Sequence, residues 1–127
     1  MKVLIVGSNG FLGSHVKSIL NNEYDFEVLQ ITGKEQVDIT KYDDLDKYLS
    51  KSRPEVVINC AAFVGGISYG YKYPARMLYE NSMMAINLYK ASQKNKVEKL
   101  INPISNCAYP GNLTTYKEEY FFNGPPD

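Results

Sequence analysis

The sequence predicts an α/β fold with a doubly wound parallel sheet, on three observations. Short apolar runs, Val3-Leu4-Ile5-Val6 and Val56-Val57-Ile58, have the length and β-branched content of strands buried on both faces. Apolar residues then recur at helical spacing, as at Leu12, Val16, Ile19 and Leu20. The first run passes into Gly7-Ser8-Asn9-Gly10-Phe11-Leu12-Gly13, so the glycines fall on a strand-to-helix turn. Strands alternating with helices make right-handed βαβ units.

The elements follow in order. After the opening strand, a helix begins beyond Gly10 and ends near Asn21 and Asn22. Residues 26–31 read as a second strand and Gln36-Val37-Asp38-Ile39 as a short third one. Leu45, Tyr48 and Leu49 share one side of a helix over 43–50, with Tyr42 just ahead of it, and Pro54 stops any continuation. A fourth strand runs over 56–60. Pro74 suits the first turn of a long helix reaching about Lys94, with Met77, Met84, Leu88 and Ala91 as its inward stripe. Residues 99–104 make a fifth strand, and turn residues dominate from Ser105 onward. No internal repeat or low-complexity stretch interrupts this order.

The expected strand order is 3-2-1-4-5, a Rossmann-type sheet. It sets the first and fourth strands side by side at the switch point, where ligands bind beyond the carboxyl ends. Gly7, Ala61-Ala62 and Ser105 to Cys107 all fall at such ends. A complete fold of this order wants a sixth strand, and Gly124-Pro125-Pro126-Asp127 is loop-like. Residues 1–127 therefore read as an incomplete Rossmann-type domain, the N-terminal part of a longer protein, with the fifth strand an edge open to association. A complete small domain is the alternative.

Composition excludes more than it assigns. Lys plus Arg equals Asp plus Glu, 14 against 14, without a basic block, which argues against nucleic acid and anionic membrane as partners. Gly7 breaks the N-terminal apolar stretch too early for a signal peptide or a membrane span. The 2 cysteines lack metal-ligand spacing, so reduced thiols in a cytoplasm are expected, and no metal site.

The glycine turn carries the chemistry. Gly7 permits a tight exit from the strand, Gly10 lets backbone approach a ligand, and Gly13 lets the helix pack close to the strand. Free amides and the positive end of the helix dipole then face one spot suited to a pyrophosphate. Each amide bond to a charged oxygen is worth roughly 1.5–3 kcal/mol. An ordinary βα turn rich in glycine is the alternative. At the end of the second strand, Gln30-Ile31-Thr32-Gly33-Lys34 offers no acid for a ribose 2′-hydroxyl and one cation. That favours NADP over NAD, unless Lys34 is simply a solvated loop lysine.

The glycine spacing together with Ala61-Ala62 resembles the extended short-chain dehydrogenase/reductase superfamily of nucleotide-sugar enzymes. A narrower resemblance, to the GDP-L-fucose synthase family, comes from four segments. They are Ala61-Ala62-Phe63-Val64-Gly65-Gly66-Ile67, Tyr73-Pro74-Ala75, Tyr79-Glu80-Asn81, and Ser105-Asn106-Cys107-Ala108-Tyr109-Pro110. Glu118-Glu119 with Gly124-Pro125 keeps the family spacing. The resemblance implies that Gly7, Ser8, Asn9, Gly10, Phe11, Leu12, Gly13, Ala61 and Ala62 hold the cofactor, with Asp38 beside the adenine. It implies Ser105 as the serine on the ketone oxygen and Cys107 as an epimerisation base. It further implies a GDP-sugar substrate, reduction by NADPH after 3,5-epimerisation of GDP-4-keto-6-deoxymannose, and a homodimer of the full-length protein.

Departures from the family are specific. The Tyr-x-x-x-Lys pair is absent, and the match would start it just past Asp127, with the histidine acid later still, so these residues alone should not turn over. Asn106 replaces a serine, Ile104 a glycine, and Gly70-Tyr71 a pair of asparagines near the expected substrate loop. Another 4-epimerase, 4-reductase or dehydratase of the superfamily is the rival enzyme, and a non-catalytic dinucleotide-binding module the rival of another class. Read without the family, Ser105 is a turn former, Cys107 a small hydrophobe, Cys60 a core residue and His15 a structural one.

Overall fold

A computed structural model describes residues 1–126 of the chain. Four strands, β1 (Lys2–Val6), β2 (Glu27–Ile31), β3 (Val56–Asn59) and β4 (Lys99–Ile101), form one parallel sheet in the order β2-β1-β3-β4. The helices between them are α1 (Phe11–Glu23), α2 (Tyr42–Ser52), the short α3 (Ile67–Lys72) and α4 (Pro74–Lys94). The doubly wound Rossmann-type sheet is thus present, with β1 and β3 adjacent at its centre.

Side chains alternate between the two faces of each strand. Leu4, Val6, Ile31 and Val57 point to one face, onto Leu45 and Leu49 of α2 and Leu88 and Ala91 of α4. All are essentially buried, each large one contributing roughly 1.5–3 kcal/mol. Val3 and Ile5 turn to the other face, where α1 lies against β1 and β2. On α1, Val16 and Leu20 are half-buried, while Leu12 and Ile19 of the expected stripe are exposed. Pro74 opens α4 at its first turn, where its missing amide leaves no bond unmade. Asp46 of α2 accepts from Lys94 at 2.6 Å and from Asn95 at 2.9 Å, tying the two helices at one end.

The short third strand expected over Gln36-Val37-Asp38-Ile39 does not form. The amides of Gln36 and Val37 instead donate to the Gly33 carbonyl, at 3.1 and 3.2 Å, closing a turn. β2 is therefore an edge, and the Gln36 carboxamide stands in for one rung of a neighbour. Its Oε1 accepts from the Thr32 amide at 2.9 Å and its Nε2 donates to the Gln30 carbonyl at 3.1 Å. A parallel strand would make the same pair of bonds there. The Tyr48 hydroxyl also donates to the Gln30 carbonyl, at 3.1 Å. Val37 and Ile39, whose alternation suggested a strand, close the core as a loop. β4 is also shorter than expected, ending ahead of Pro103, which has no amide to continue the ladder.

Candidate functional site

The glycine turn has the geometry that its spacing asks for. Gly7 has φ of +77°, and a Cβ there would come within 2.8 Å of the Ala61 nitrogen. The amides of Gly7 and Ser8 both reach the Ile31 carbonyl, at 2.8 and 3.2 Å, and the Gly10 amide returns to the Gly7 carbonyl at 3.0 Å. A Cβ on Gly13 would lie 2.2 Å from that same Gly7 oxygen, so α1 packs this close because no side chain intervenes. Gly10 caps α1 without a side-chain bond. Among the described residues, the Phe11, Leu12 and Gly13 amides donate to no backbone group of the turn. They are the unpaired donors of a helix start, at its positive pole.

Beyond the carboxyl ends of β1, β2 and β3 lies a cavity of about 460 Å³. Gly7 and Gly10 of the turn, Ala61 and Ala62 after β3, and Lys34 and Asp38 after β2 all line it. Five other expected cofactor residues do not. Asn9, Phe11 and Leu12 are exposed on the turn and the start of α1, and Gly13 is buried against Gly7. Ser8 faces inward, its hydroxyl fully buried and unpartnered among the described residues.

Asp38 anchors the charge at this end of the cavity. Its side chain is 9% exposed, and Lys34 and Lys41 approach it at 3.4 and 3.9 Å. Burial opposes its negative charge. The Thr40 hydroxyl and amide, at 2.6 and 3.1 Å, and then Lys34 outweigh that and hold the carboxyl below the ordinary aspartate value. No acid lies between Gln30 and Lys34 themselves. Cys60 also lines the cavity, and burial pushes its thiol up, away from the reactive thiolate.

The sequence reading missed a set of residues that hold this cavity together. Arg76 and Glu80 of α4 line it, Arg76 lying over the Phe63 ring at 5.2 Å and 4.0 Å from Glu80. Three asparagines pin the strand exits. Asn81 accepts from the Phe63 amide at 2.9 Å and donates to the Phe63 carbonyl at 2.8 Å. Buried Asn87 donates to the Ile39 carbonyl at 3.0 Å. Buried Asn59 accepts from the Ala61 amide at 3.0 Å and donates to Asn102 at 2.7 Å. Asparagine inside a strand or a helix is disfavoured locally, and that conflict was a usable signal.

Ser105 and Cys107 sit on the loop leaving the carboxyl end of β4, at the same end of the sheet as the cavity, yet they are not part of its lining. Ser105 caps a short 3₁₀ turn, Asn106–Ala108, its Oγ accepting from the Cys107 amide at 3.2 Å. Among the described residues the hydroxyl proton has no acceptor and is left to donate. Cys107 is exposed, with Asn106 Oδ1 3.8 Å from its sulfur. His15 is exposed on α1, its Nδ1 2.7 Å from the Phe11 carbonyl oxygen. Among the described residues no cluster of His, Cys, Asp and Glu could hold a metal ion, and no helix is long and apolar enough to cross a membrane.

Comparison with known proteins gives consistent likenesses. The model of the NAD dependent epimerase/dehydratase family matches residues 3–127. A GDP-L-fucose synthase of Sinorhizobium fredii is 34% identical over 125 residues, covering 98% of this chain and 39% of that protein. A GDP-L-colitose synthase of Yersinia pseudotuberculosis is 34% identical over 110 residues, covering 87% of this chain and 35% of that protein. Among solved structures, a GDP-mannoheptose C4 reductase from Campylobacter jejuni with NADP bound superposes with a TM-score of 0.86 at 26% identity, over 99% of this chain and 40% of that one. The chain thus spans well under half the length of each.

Proposed function

This chain belongs to the NAD dependent epimerase/dehydratase family, and on that premise we propose that it is the cofactor-binding part of an NADP-dependent nucleotide-sugar epimerase/reductase of the GDP-L-fucose synthase kind. The observation that carries the reading is the cradle itself. Gly7 and Gly13 sit where a Cβ would strike backbone, and the free amides of α1 directly follow Gly10, which lines the same cavity as Lys34. These residues suit a dinucleotide. The unpaired amides at the start of α1 would hold the diphosphate, with Gly10 giving it room, Ala61 and Ala62 would flank it, and Asp38 would lie by the adenine. Lys34 would meet a 2′-phosphate, since Asp38 also has Thr40 and Lys41 as partners and does not depend on Lys34 alone. When bound, NADPH would supply a hydride to a ketone.

The remaining roles belong to the loop after β4. Ser105 would donate its free hydroxyl proton to the ketone oxygen, stabilising charge that develops there. Cys107 would remove a proton beside the ketone, which requires its thiolate. Residues 1–127 hold no Tyr-x-x-x-Lys pair, so they supply binding and part of the proton traffic rather than the whole reaction. Assay of the full-length protein with NADPH and GDP-4-keto-6-deoxymannose tests the reading, and absence of turnover removes that substrate.

A 4-reductase without epimerisation is the second reading, favoured by the likeness to the GDP-mannoheptose C4 reductase. Solvent deuterium separates the two. Epimerisation through Cys107 puts deuterium beside the ketone, and Cys107→Ser should cut that incorporation while sparing NADPH binding. Incorporation unchanged in Cys107→Ser would take the cysteine out of the mechanism.

A further inference from the structure

We propose that Gln36 is a positioning residue that holds Lys34 against a 2′-phosphate and so sets the preference for a 2′-phosphorylated adenosine. The inference rests on the dinucleotide reading of the cavity given above. Lysine carries a point charge on a flexible stem, and on a loose exposed loop such a charge discriminates little. The loop after β2 is not loose. Gln36 Oε1 accepts from both the amide and the hydroxyl of Thr32, at 2.9 and 3.0 Å, and its Nε2 donates to the Gln30 carbonyl at 3.1 Å.

Lys34 lies between the pinned positions, and Gly33 folds back to receive the Gln36 and Val37 amides. Behind it stands the buried Asp38 carboxylate, 3.4 Å from the Lys34 ammonium and 3.9 Å from that of Lys41. With Lys41 and Thr40 also on that carboxylate, the Lys34 ammonium is not its sole partner and can turn to a phosphate. Thr32, Gly33 and Lys34 line the cavity, whereas Gln36 does not. Its effect therefore passes through the loop.

Calorimetric titration of the full chain with 2′,5′-ADP and with 5′-AMP tests this, in the wild type, Lys34→Met and Gln36→Met. The wild type should favour 2′,5′-ADP, and Lys34→Met should erase most of that preference. Gln36→Met should narrow it about tenfold, by weakening 2′,5′-ADP while leaving 5′-AMP nearly unchanged. Equal weakening of both nucleotides would mean that Gln36 merely supports the fold, and the proposal fails. A preference lost in Lys34→Met but intact in Gln36→Met overturns the proposal alone. No preference in the wild type overturns it together with the reading of Lys34. Should Gln36→Met not fold, Thr32→Val removes one of the three bonds and should narrow the preference to a smaller degree; an unchanged ratio there also overturns it.

Discussion

Two glycines separate contact from mere sequence pattern. Gly13→Ala drives a methyl to 2.2 Å from the Gly7 carbonyl oxygen, where backbone must give way. It should cost about 1–3 kcal/mol in urea unfolding and abolish nucleotide binding with it. Gly33→Ala places its methyl in open space and should stay within about 0.5 kcal/mol of wild type. Asp38 gives a second handle. Its folded carboxyl lies below the unfolded value, so its stabilisation is complete above the unfolded pKa and drains away as pH falls through the folded one. Urea midpoints between neutral pH and the acid range should fall less steeply in Asp38→Asn than in wild type. The glycine turn was legible because its reason is local, fixed within a few residues. The role of Gln36 was not, because its bonds exist only once β2 has become an edge.

Helices and strands were legible where their signals lay within them. Pro74 and the stripe from Met77 to Ala91 fixed α4 from end to end, and Leu45 with Leu49 fixed the buried side of α2. The third strand failed because alternation marks burial on one side, and a loop that plugs the core alternates too. The Asn59 and Asn102 pair belongs to this scale as well. Ile58 and Ile101 are paired across β3 and β4, and the two amides take the next step of that register. Either Asn59→Leu or Asn102→Leu strands a polar partner and should cost about 1–3 kcal/mol. The double variant orphans neither amide of the pair, only the Ala61 amide that Asn59 accepts from, and should cost less than the sum, with a coupling of about 0.5–3 kcal/mol in a double-mutant cycle. Strict additivity would show that the pair contributes nothing as a pair.

Over the whole molecule, the two sheet edges are treated differently. At β2, Gln36 and Tyr48 occupy the outward carbonyl of Gln30, and Gln36 takes the Thr32 amide, so a strand from elsewhere finds the edge engaged. At β4 the rows of side chains tell another story. Leu4, Val57 and Leu100 stay covered by α2 and α4 along one row. On the opposite face, burial fades along a single row, from Ile5 at 0% exposed through half-buried Ile58 to Ile101 at 41%. The cause is that α1 packs chiefly on β1 and β2. An apolar edge strand with one uncovered face is a template for association. These 127 residues should therefore sediment as a concentration-dependent mixture of monomer and oligomer. Ile101→Lys places a charge on that row and should shift the mixture toward monomer, with little change in urea stability because the residue is already partly in water. A single monomer boundary for the unmodified chain at every concentration would mean that the Ile58 and Ile101 face needs no cover.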